Sequence, residues 1–494
     1  MALWAVLGFL GSEPGSLDDL FLVLRASRDP LAVNDPAILG CSSLLDVALK
    51  GLAIGAFGAS VAGPIVTTLL LTVGVALWGG RLLDCGHGPA EDAPRGTPSA
   101  WVPLLGLGLA SVLAEGSSYL LEAPLLVLAL LLCMKASRGQ DSRLAPLAFA
   151  GLSLARPEGV LLGVPWALSR SGDGRWTALG GSLVGAGVWA MWLGARGSMP
   201  LPGGLLPLSF HVKHGSWWAE AAAGAVYAGS WLRTLEGAST VLLMGAGLLS
   251  RGLARRRALL ATWALGLVVL SGGDGYLGAR LLLPVMVLAI GSAAAARARV
   301  QLGGLVLLGL SGLGSVLSGG SMLLSSGLDG WKVDLEPELA IVSGLRGLQS
   351  EAGRPLLVVH RDQQVLLWLD PELSVRDASG LSDPEVAAQP VEGAVRHGRD
   401  AFLLLSGSAD VLLLDHQRLR AESWANRAFV PALTSEADRW IGGPRSRAEA
   451  QHWEQDWRLA SIPHGRFACN VLLRAELIPA ARRAGWLLPD SRGE

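Results

Sequence analysis

The stretch Ala62-Gly-Pro-Ile-Val-Thr-Thr-Leu-Leu-Leu-Thr-Val-Gly-Val-Ala-Leu-Trp-Gly-Gly80 carries no charged side chain. Its length is close to the ~20 residues that a helix needs to cross a bilayer core. Comparable apolar runs surround it at 1–12, 101–114, 118–135, 144–155, 157–168, 176–195, 238–250, 257–271, 281–295 and 300–318. They give about eleven expected spans, several of them short. From Asp329 onward acidic and basic residues return at the density of a soluble chain. The expectation is a polytopic α-helical membrane domain over 1–320 and a small α/β or α+β soluble domain over 329–494.

The composition agrees with this division. The chain is 51% hydrophobic and 16% charged, against roughly 25% charged in an average soluble domain. Its 65 glycines suit packed membrane helices, where small residues let backbones approach. A net charge of −1 with no Lys/Arg-rich run excludes nucleic acid as an expected partner. The apolar start, Met1 to Leu10, has neither a basic leading segment nor a small-residue cleavage site, so it reads as a short first span and not as a signal peptide. Cys41, Cys85, Cys133 and Cys469 show no metal-ligand spacing and no disulfide framework.

Orientation follows from the short basic loops. Lys135, Arg138 and Arg143 form one, Arg251, Arg255, Arg256 and Arg257 a second, Arg297 and Arg299 a third. Positive-inside bias assigns all three to the cytoplasm. The N-terminus is then cytoplasmic, while segment 13–61, the turn at Glu115, the Arg156–Glu158 kink, the loops 196–237 and 272–280, and the C-terminal domain lie outside. This parity also requires Leu44–Phe57 to run along the membrane surface, in agreement with Asp46 and Lys50 inside it. Within the C-terminal domain, Leu356–His360, Ala401–Leu405 and Asn470–Leu473 have strand patterns. Trp331, Trp368, Trp440 and Trp486 read mainly as core or membrane-contact residues, with sugar stacking as the sharper option. Trp217 and Trp218 read as interface-belt residues.

An ionisable residue beside a span is a functional hypothesis by default. Asp18, Asp19, Glu122, Glu158 and Asp274 all fall at outer ends of spans under this topology. The densest stretch is Ser16-Leu-Asp-Asp-Leu-Phe-Leu-Val-Leu-Arg25-Ala-Ser-Arg28. Adjacent carboxylates at a membrane surface suit a base with an orienting or metal-binding neighbour. The same residues also suit a plain helix start, with Ser16 as N-cap and two acids on the helix dipole.

These motifs resemble the GT-C superfamily of membrane glycosyltransferases, particularly the branch of the mycobacterial terminal arabinofuranosyltransferase. Asp18, Asp19, Arg25 and Arg28 match the Asp-Asp pair and Leu-Arg-Tyr-Ala-Arg-like helix of its first outer loop, with Ala26 in place of the tyrosine. Asn34 through Ser43 resembles the run that leads into its surface helix. Leu120-Leu-Glu122-Ala-Pro resembles Gly-Met-Glu-Thr-Pro, and Arg156-Pro-Glu-Gly159 keeps the family's break between two spans. Leu206-Pro-Leu-Ser-Phe-His-Val-Lys213 keeps Pro207 and Lys213 but has Leu208 where the family has Asn. Gly272-Gly-Asp274 through Arg280-Leu-Leu-Leu-Pro284 resembles Gly-Gly-Asp-Trp followed by Arg-Phe-Leu-Val-Pro. In the soluble domain, Arg376-Asp-Ala-Ser-Gly-Leu-Ser-Asp-Pro384 resembles Asp-X-X-Gly-Leu-Thr-Asp-Pro, and His397 sits near the family's Gly-His pair.

The resemblance implies transfer of a sugar, arabinofuranose or another pentose or hexose, from a polyprenyl-phosphate donor to an extracytoplasmic glycan, lipid or protein acceptor. It implies a bacterial plasma membrane and contact with membrane lipids. Asp18 or Asp19 is the expected base on the acceptor hydroxyl, because a phosphate leaving group needs little protonation. Lys213, Arg280 and Arg156 are the expected partners of the donor phosphate, with snorkelling to lipid headgroups as the alternative. Arg25, Arg28, Glu122, Glu158, Asp274 and His397 are expected around the substrates. No cofactor is required; paired aspartates are compatible with a divalent cation, although no complete ligand set is visible. A transporter or flippase of a lipid-linked sugar and a non-catalytic scaffold of the same fold are the competing readings.

Overall fold

The computed structural model describes residues 2–11, 17–28, 43–58, 62–83, 101–116, 122–137, 143–170, 174–194, 217–272, 280–296, 299–314, 335–360, 363–377, 407–420, 455–464 and 467–488, together with 172, 316–318, 321 and 383. Among them are seventeen α-helices and a C-terminal five-stranded mixed sheet. The described residues fall into two compact units, one up to residue 321 and the other from residue 335 onward.

The first unit is helical: α1 (Ala2–Gly11), α2 (Leu17–Arg28), α3 (Leu44–Phe57), α4 (Ala62–Leu83), α5 (Trp101–Gly116), α6 (Glu122–Ala136), α7 (Leu144–Ala155), α8 (Gly159–Leu168), α9 (Gly174–Gly194), α10 (Trp217–Leu232), α11 (Leu235–Leu249), α12 (Leu253–Leu270), α13 (Leu283–Ala296) and α14 (Arg299–Ser311). Each of the eleven apolar stretches read from the sequence is occupied by a helix. By length and composition, two of the described helices can cross a membrane: Ala62–Leu83 and Val300–Ser318. Shorter apolar helices cover Trp101–Ala114, Leu144–Ala155, Gly159–Leu168, Leu235–Leu249 and Leu283–Ala296; at 15 residues, Leu235–Leu249 is about 22 Å long against ~30 Å of bilayer hydrocarbon.

Helix α13 is apolar on every side and lies at the centre, with Leu283 and all residues from Val285 to Ala294 buried. Its neighbours close on it through small residues. Gly291 leaves room for the Met134 side chain of α6, and Gly247 of α11 does the same for Ser292. At Gly185 an added Cβ would come within 2.7 Å of the Ala150 carbonyl, so α9 lies directly against α7. A relay ties α1 to the bundle: Trp4 Nε1 donates to Ser111 Oγ at 3.2 Å, and Ser111 Oγ donates to the Gly309 carbonyl at 3.0 Å. Large apolar side chains stand on the outside, among them Leu52, Phe57, Leu70, Leu147, Met191 and Val226.

Three expectations for this unit are corrected. The loop expected over 196–237 contains α10, sixteen residues long, and Gly224 of α10 abuts the Val269 carbonyl of α12. A run rich in alanine with few charges has both the propensity and the small faces for that packing. Asp46 and Lys50, expected at a membrane surface, are completely buried in α3, while Leu52 and Phe57 face outward. Arg257, expected in an exposed basic loop, is 1% exposed. Its guanidinium donates to the Gly291 carbonyl at 2.5 Å and reaches toward the Met134 carbonyl at 3.5 Å, where late-turn helix carbonyls attract a cation.

The second unit contains α15 (Glu336–Ala352), β1 (Leu357–His360), α16 (Gln363–Leu369), β2 (Ser374–Asp377), β3 (Val411–Arg420), β4 (Trp457–His464), β5 (Phe467–Arg474) and α17 (Ile478–Arg483). The strand order is β2-β1-β3-β5-β4, with β2, β1 and β3 mutually parallel and β3, β5 and β4 antiparallel. The strand patterns at Leu356–His360 and Asn470–Leu473 correspond to β1 and β5; Ala401–Leu405 lies outside the described residues. Ile341, Leu345 and Leu348, at helical spacing on α15, pack over Val358, Val411, Ile462, Val471 and Leu473, and each such side chain contributes about 1.5–3 kcal/mol. Trp368, Trp457 and Trp486 are buried in this unit. Asp410 anchors its amino-terminal edge, accepting from the Leu357 N–H at 2.9 Å and pairing with Arg354 at 2.7 Å.

Candidate functional site

The motif Arg156-Pro-Glu-Gly159 is a break between two antiparallel helices. Pro157 has no N–H to continue α7, and Gly159 is required because a Cβ there would collide with the Leu152 carbonyl. The break turns Arg156 back over the start of α6. Its Nη1 lies 2.9 Å from Glu122 Oε1, while Nη2 and Nε lie 2.9 and 3.2 Å from Glu158 Oε1 and Oε2. The Glu122 and Arg156 side chains are 5% and 11% exposed, and that of Glu158 28%.

Asp46 and Lys50 join this group from α3. The Lys50 ammonium is 3.1 and 3.3 Å from the two Asp46 carboxylate oxygens, one helical turn away. Asp46 also accepts from the backbone N–H of Glu122, and the Glu122 carboxylate lies close enough to repel it. Asp46 thus caps the first turn of α6 from another helix, where the helix dipole favours an anion. Ser43 starts α3 by accepting from the Asp46 N–H at 3.2 Å. Helix α3 rests on α2, the helix of Asp18 and Asp19: an added Cβ at Gly51 would lie 3.1 Å from the Ser27 carbonyl.

The five charges therefore comprise three carboxylates and two cations within the ends of α3, α6, α7 and α8. They share one end of the bundle. At the other end of α6, Arg170, in the turn after α8, donates to the Ala136 carbonyl at 3.0 Å, and Arg257 of α12 meets Met134. Helices α6, α7 and α8 thus alternate in direction, with carboxylates at one end and arginines at the other.

The expected site residues fall into three groups. Glu122, Arg156 and Glu158 are brought together. Asp18 and Asp19 stand in the first turn of α2, and Arg25 and Arg28 in its last; Arg25 is half-buried and Arg28 exposed, while the side chains of Asp18 and Asp19 lie outside the described residues. Arg280 opens a 3-10 turn, Arg280–Leu282, with its side chain outside that set, and Lys213, Asp274 and His397 lie wholly outside it. Among the described residues, no group of three or more His, Cys, Asp or Glu side chains is arranged to hold a metal ion.

Arg156, expected at the donor phosphate, has its guanidinium on Glu122 and Glu158. The residues that sequence reading left out of the site are Asp46 and Lys50. Their i,i+4 spacing was the available signal, and it does not say which way the pair faces.

No protein-family model, curated protein or solved structure matches the chain.

Proposed function

We propose that the chain is a multi-pass bacterial plasma-membrane glycosyltransferase of GT-C type. It takes a sugar from a polyprenyl-phosphate donor and transfers it to an extracytoplasmic glycan, lipid or protein. About eleven helices of 1–320 form the membrane-embedded catalytic body, and 329–494 forms an extracytoplasmic acceptor-binding or lid domain. The outward apolar side chains and inward charges of the helical unit support immersion in lipid, since a water-facing bundle exposes the reverse.

The observation that carries the reading is the meeting of Glu122, Arg156 and Glu158, two separate matches to the family, at the bundle end opposite Arg170 and Arg257. Under this topology that end is outside. Helix α10 then leaves and rejoins the outer side without crossing, since otherwise the Arg251–Arg257 segment would face outward.

Asp18 or Asp19 takes the proton of the acceptor hydroxyl. The hydroxyl oxygen bonds to the anomeric carbon, and the polyprenyl phosphate leaves with the bonding electron pair. Lys213 and Arg280 are assigned to that phosphate. Arg156 holds Glu122 and Glu158 in place beside the substrates, with Arg25 and Arg28 on the helix of the base. The completed pairing of Arg156 equally suits a non-catalytic scaffold, as do Ala26 and Leu208 at the two altered motif positions. Separate Asp18→Asn and Asp19→Asn variants, assayed in membranes with a polyprenyl-phosphoryl sugar, decide between them. Loss of about 10²-fold or more in one variant is expected for a general base; full activity in both sinks the assignment.

A further inference from the structure

The turn between α8 and α9 carries two cations that the transferase reading does not use. Arg170 Nη2 donates to the Ala136 carbonyl at the end of α6 at 3.0 Å, while its Nη1 has no hydrogen-bond partner. The guanidinium rests on the first residue of α9, since an added Cβ at Gly174 would lie 3.0 Å from Arg170 Nη2. Arg175 follows directly. Its guanidinium carbon stands 4.8 Å from the centre of the Trp176 ring, and its Nε is also without a hydrogen-bond partner. Neither arginine meets a carboxylate among the described residues; Asp173, between them in sequence, lies outside that set. Lys135, in the last turn of α6, and Arg143, at the start of α7, add exposed positive charge to the same end of the bundle.

Both arginines are half-buried. A cation partly withdrawn from water and lacking a counter-charge is costly, and an anion that reaches its open side offsets that cost. The surface that continues from them is apolar. Leu168 of α8 and Trp176, Leu183 and Val184 of α9 are exposed, and Trp176 and Leu183, two helical turns apart, share one face of α9. Gly181 and Gly185 hold the same helix against Pro146 and Ala150 of α7, so the exposed face is directed away from the bundle.

We propose that Arg170 and Arg175 bind the phosphate of an anionic phospholipid in the cytoplasmic leaflet, with Trp176 at the headgroup level and the acyl chains along the exposed face of α9. A guanidinium matches phosphate oxygens bidentately, and basic sites between helices on the cytoplasmic side suit such headgroups. A free phosphate or a nucleotide would use the arginines and leave the apolar face empty. A zwitterionic lipid would bring its own ammonium group to a place that is already positive. The site rests on the immersion and orientation of the helical unit proposed above, and not on sugar transfer.

The test places the purified full chain in phosphatidylcholine nanodiscs and adds a trace of phosphatidylglycerol or phosphatidylcholine carrying a diazirine in one acyl chain. After illumination, labelled peptides are located by mass spectrometry. The phosphatidylglycerol probe is expected to label 164–184 saturably and ahead of the other outward faces, and the phosphatidylcholine probe to label all of them evenly. Unlabelled phosphatidylglycerol should displace the first probe, and inorganic phosphate should not. Arg170→Gln combined with Arg175→Gln should lower labelling of 164–184 about tenfold or more, with labelling elsewhere unchanged. Equal labelling by the two probes, displacement by inorganic phosphate, or undiminished labelling in the double variant overturns the proposal. If the double variant unfolds, the lipid preference of the native chain still decides. A chain recovered from cells in the aqueous fraction without detergent defeats the immersion reading and this site with it; a chain that enters nanodiscs and labels equally with both probes defeats this site alone.

Discussion

Replacing Lys50 with Met tests whether the charge cluster is organised as described. Lys50 and Asp46 have no exposed surface, and the Glu122 carboxylate faces Asp46. Removing the ammonium leaves a buried carboxylate beside another carboxylate, with Arg156 already engaged by Glu122 and Glu158. Breaking a buried pair in this way costs about 3–5 kcal/mol. At ~2 °C per kcal/mol for a large domain, the unfolding midpoint should fall by about 6–10 °C. The double variant Asp46→Leu with Lys50→Met removes both charges, which is commonly neutral or stabilising by about 1–4 kcal/mol. It also loses the acceptor for the Glu122 N–H, worth about 1 kcal/mol as a cap. The double variant should therefore unfold within a few degrees of the native protein, well above the single variant. Thermal unfolding of the four members of the cycle, in one detergent, gives the coupling energy directly. A Lys50→Met midpoint within about 2 °C of native, or a double variant no more stable than the single one, would refute the argument.

Two further outcomes follow from the topology and the second unit. In a background with the four native cysteines replaced by serine, a cysteine at Arg233 should react with an impermeant maleimide on intact cells, and one at Arg255 only after permeabilisation; protection at Arg233 would mean that α10 crosses the membrane and would overturn the assigned parity. Hydrogen bonds from Arg346 hold the Asp370 carboxyl below its usual range; at Asp410 burial acts upward, but Arg354, the Leu357 N–H and Arg474 outweigh it. Because both folded-state values are depressed, their stabilisation is complete above the unfolded value of about 3.9 and is lost as pH falls through the lower folded values. The stability gap between the native chain and Asp370→Asn or Asp410→Asn should be constant from about pH 5 to 8 and close below about pH 4; a gap that changes between pH 6 and 8 would contradict these pairings.

The sequence alone showed eleven apolar stretches that helices occupy and the place where the chain changes character, but not α10, which lies in a stretch that reads as a loop. Uncharged runs of helical length, such as Ala62–Gly80, carry that signal, and the return of charge after Asp329 marks the second unit. It also singled out Glu122, Arg156 and Glu158, since an ionisable residue beside a long apolar run is conspicuous in the sequence. What it left open was orientation around the helix axis. Asp46 and Lys50 occupy one face of α3 by spacing, and only the packing of α3 against α2 and α6 decided that this face is inward. Arg257 sits in a basic run with Arg255 and Arg256, yet it alone is buried, because Gly291 and Met134 supply carbonyls at that point and at no other. In the sheet, local patterns showed strands at β1 and β5, but β2, β1 and β3 become neighbours only through pairing across long stretches of chain. The strand order is therefore a product of tertiary structure: it is set by the closure of non-local pairs, for which no local run of residues carries a signal.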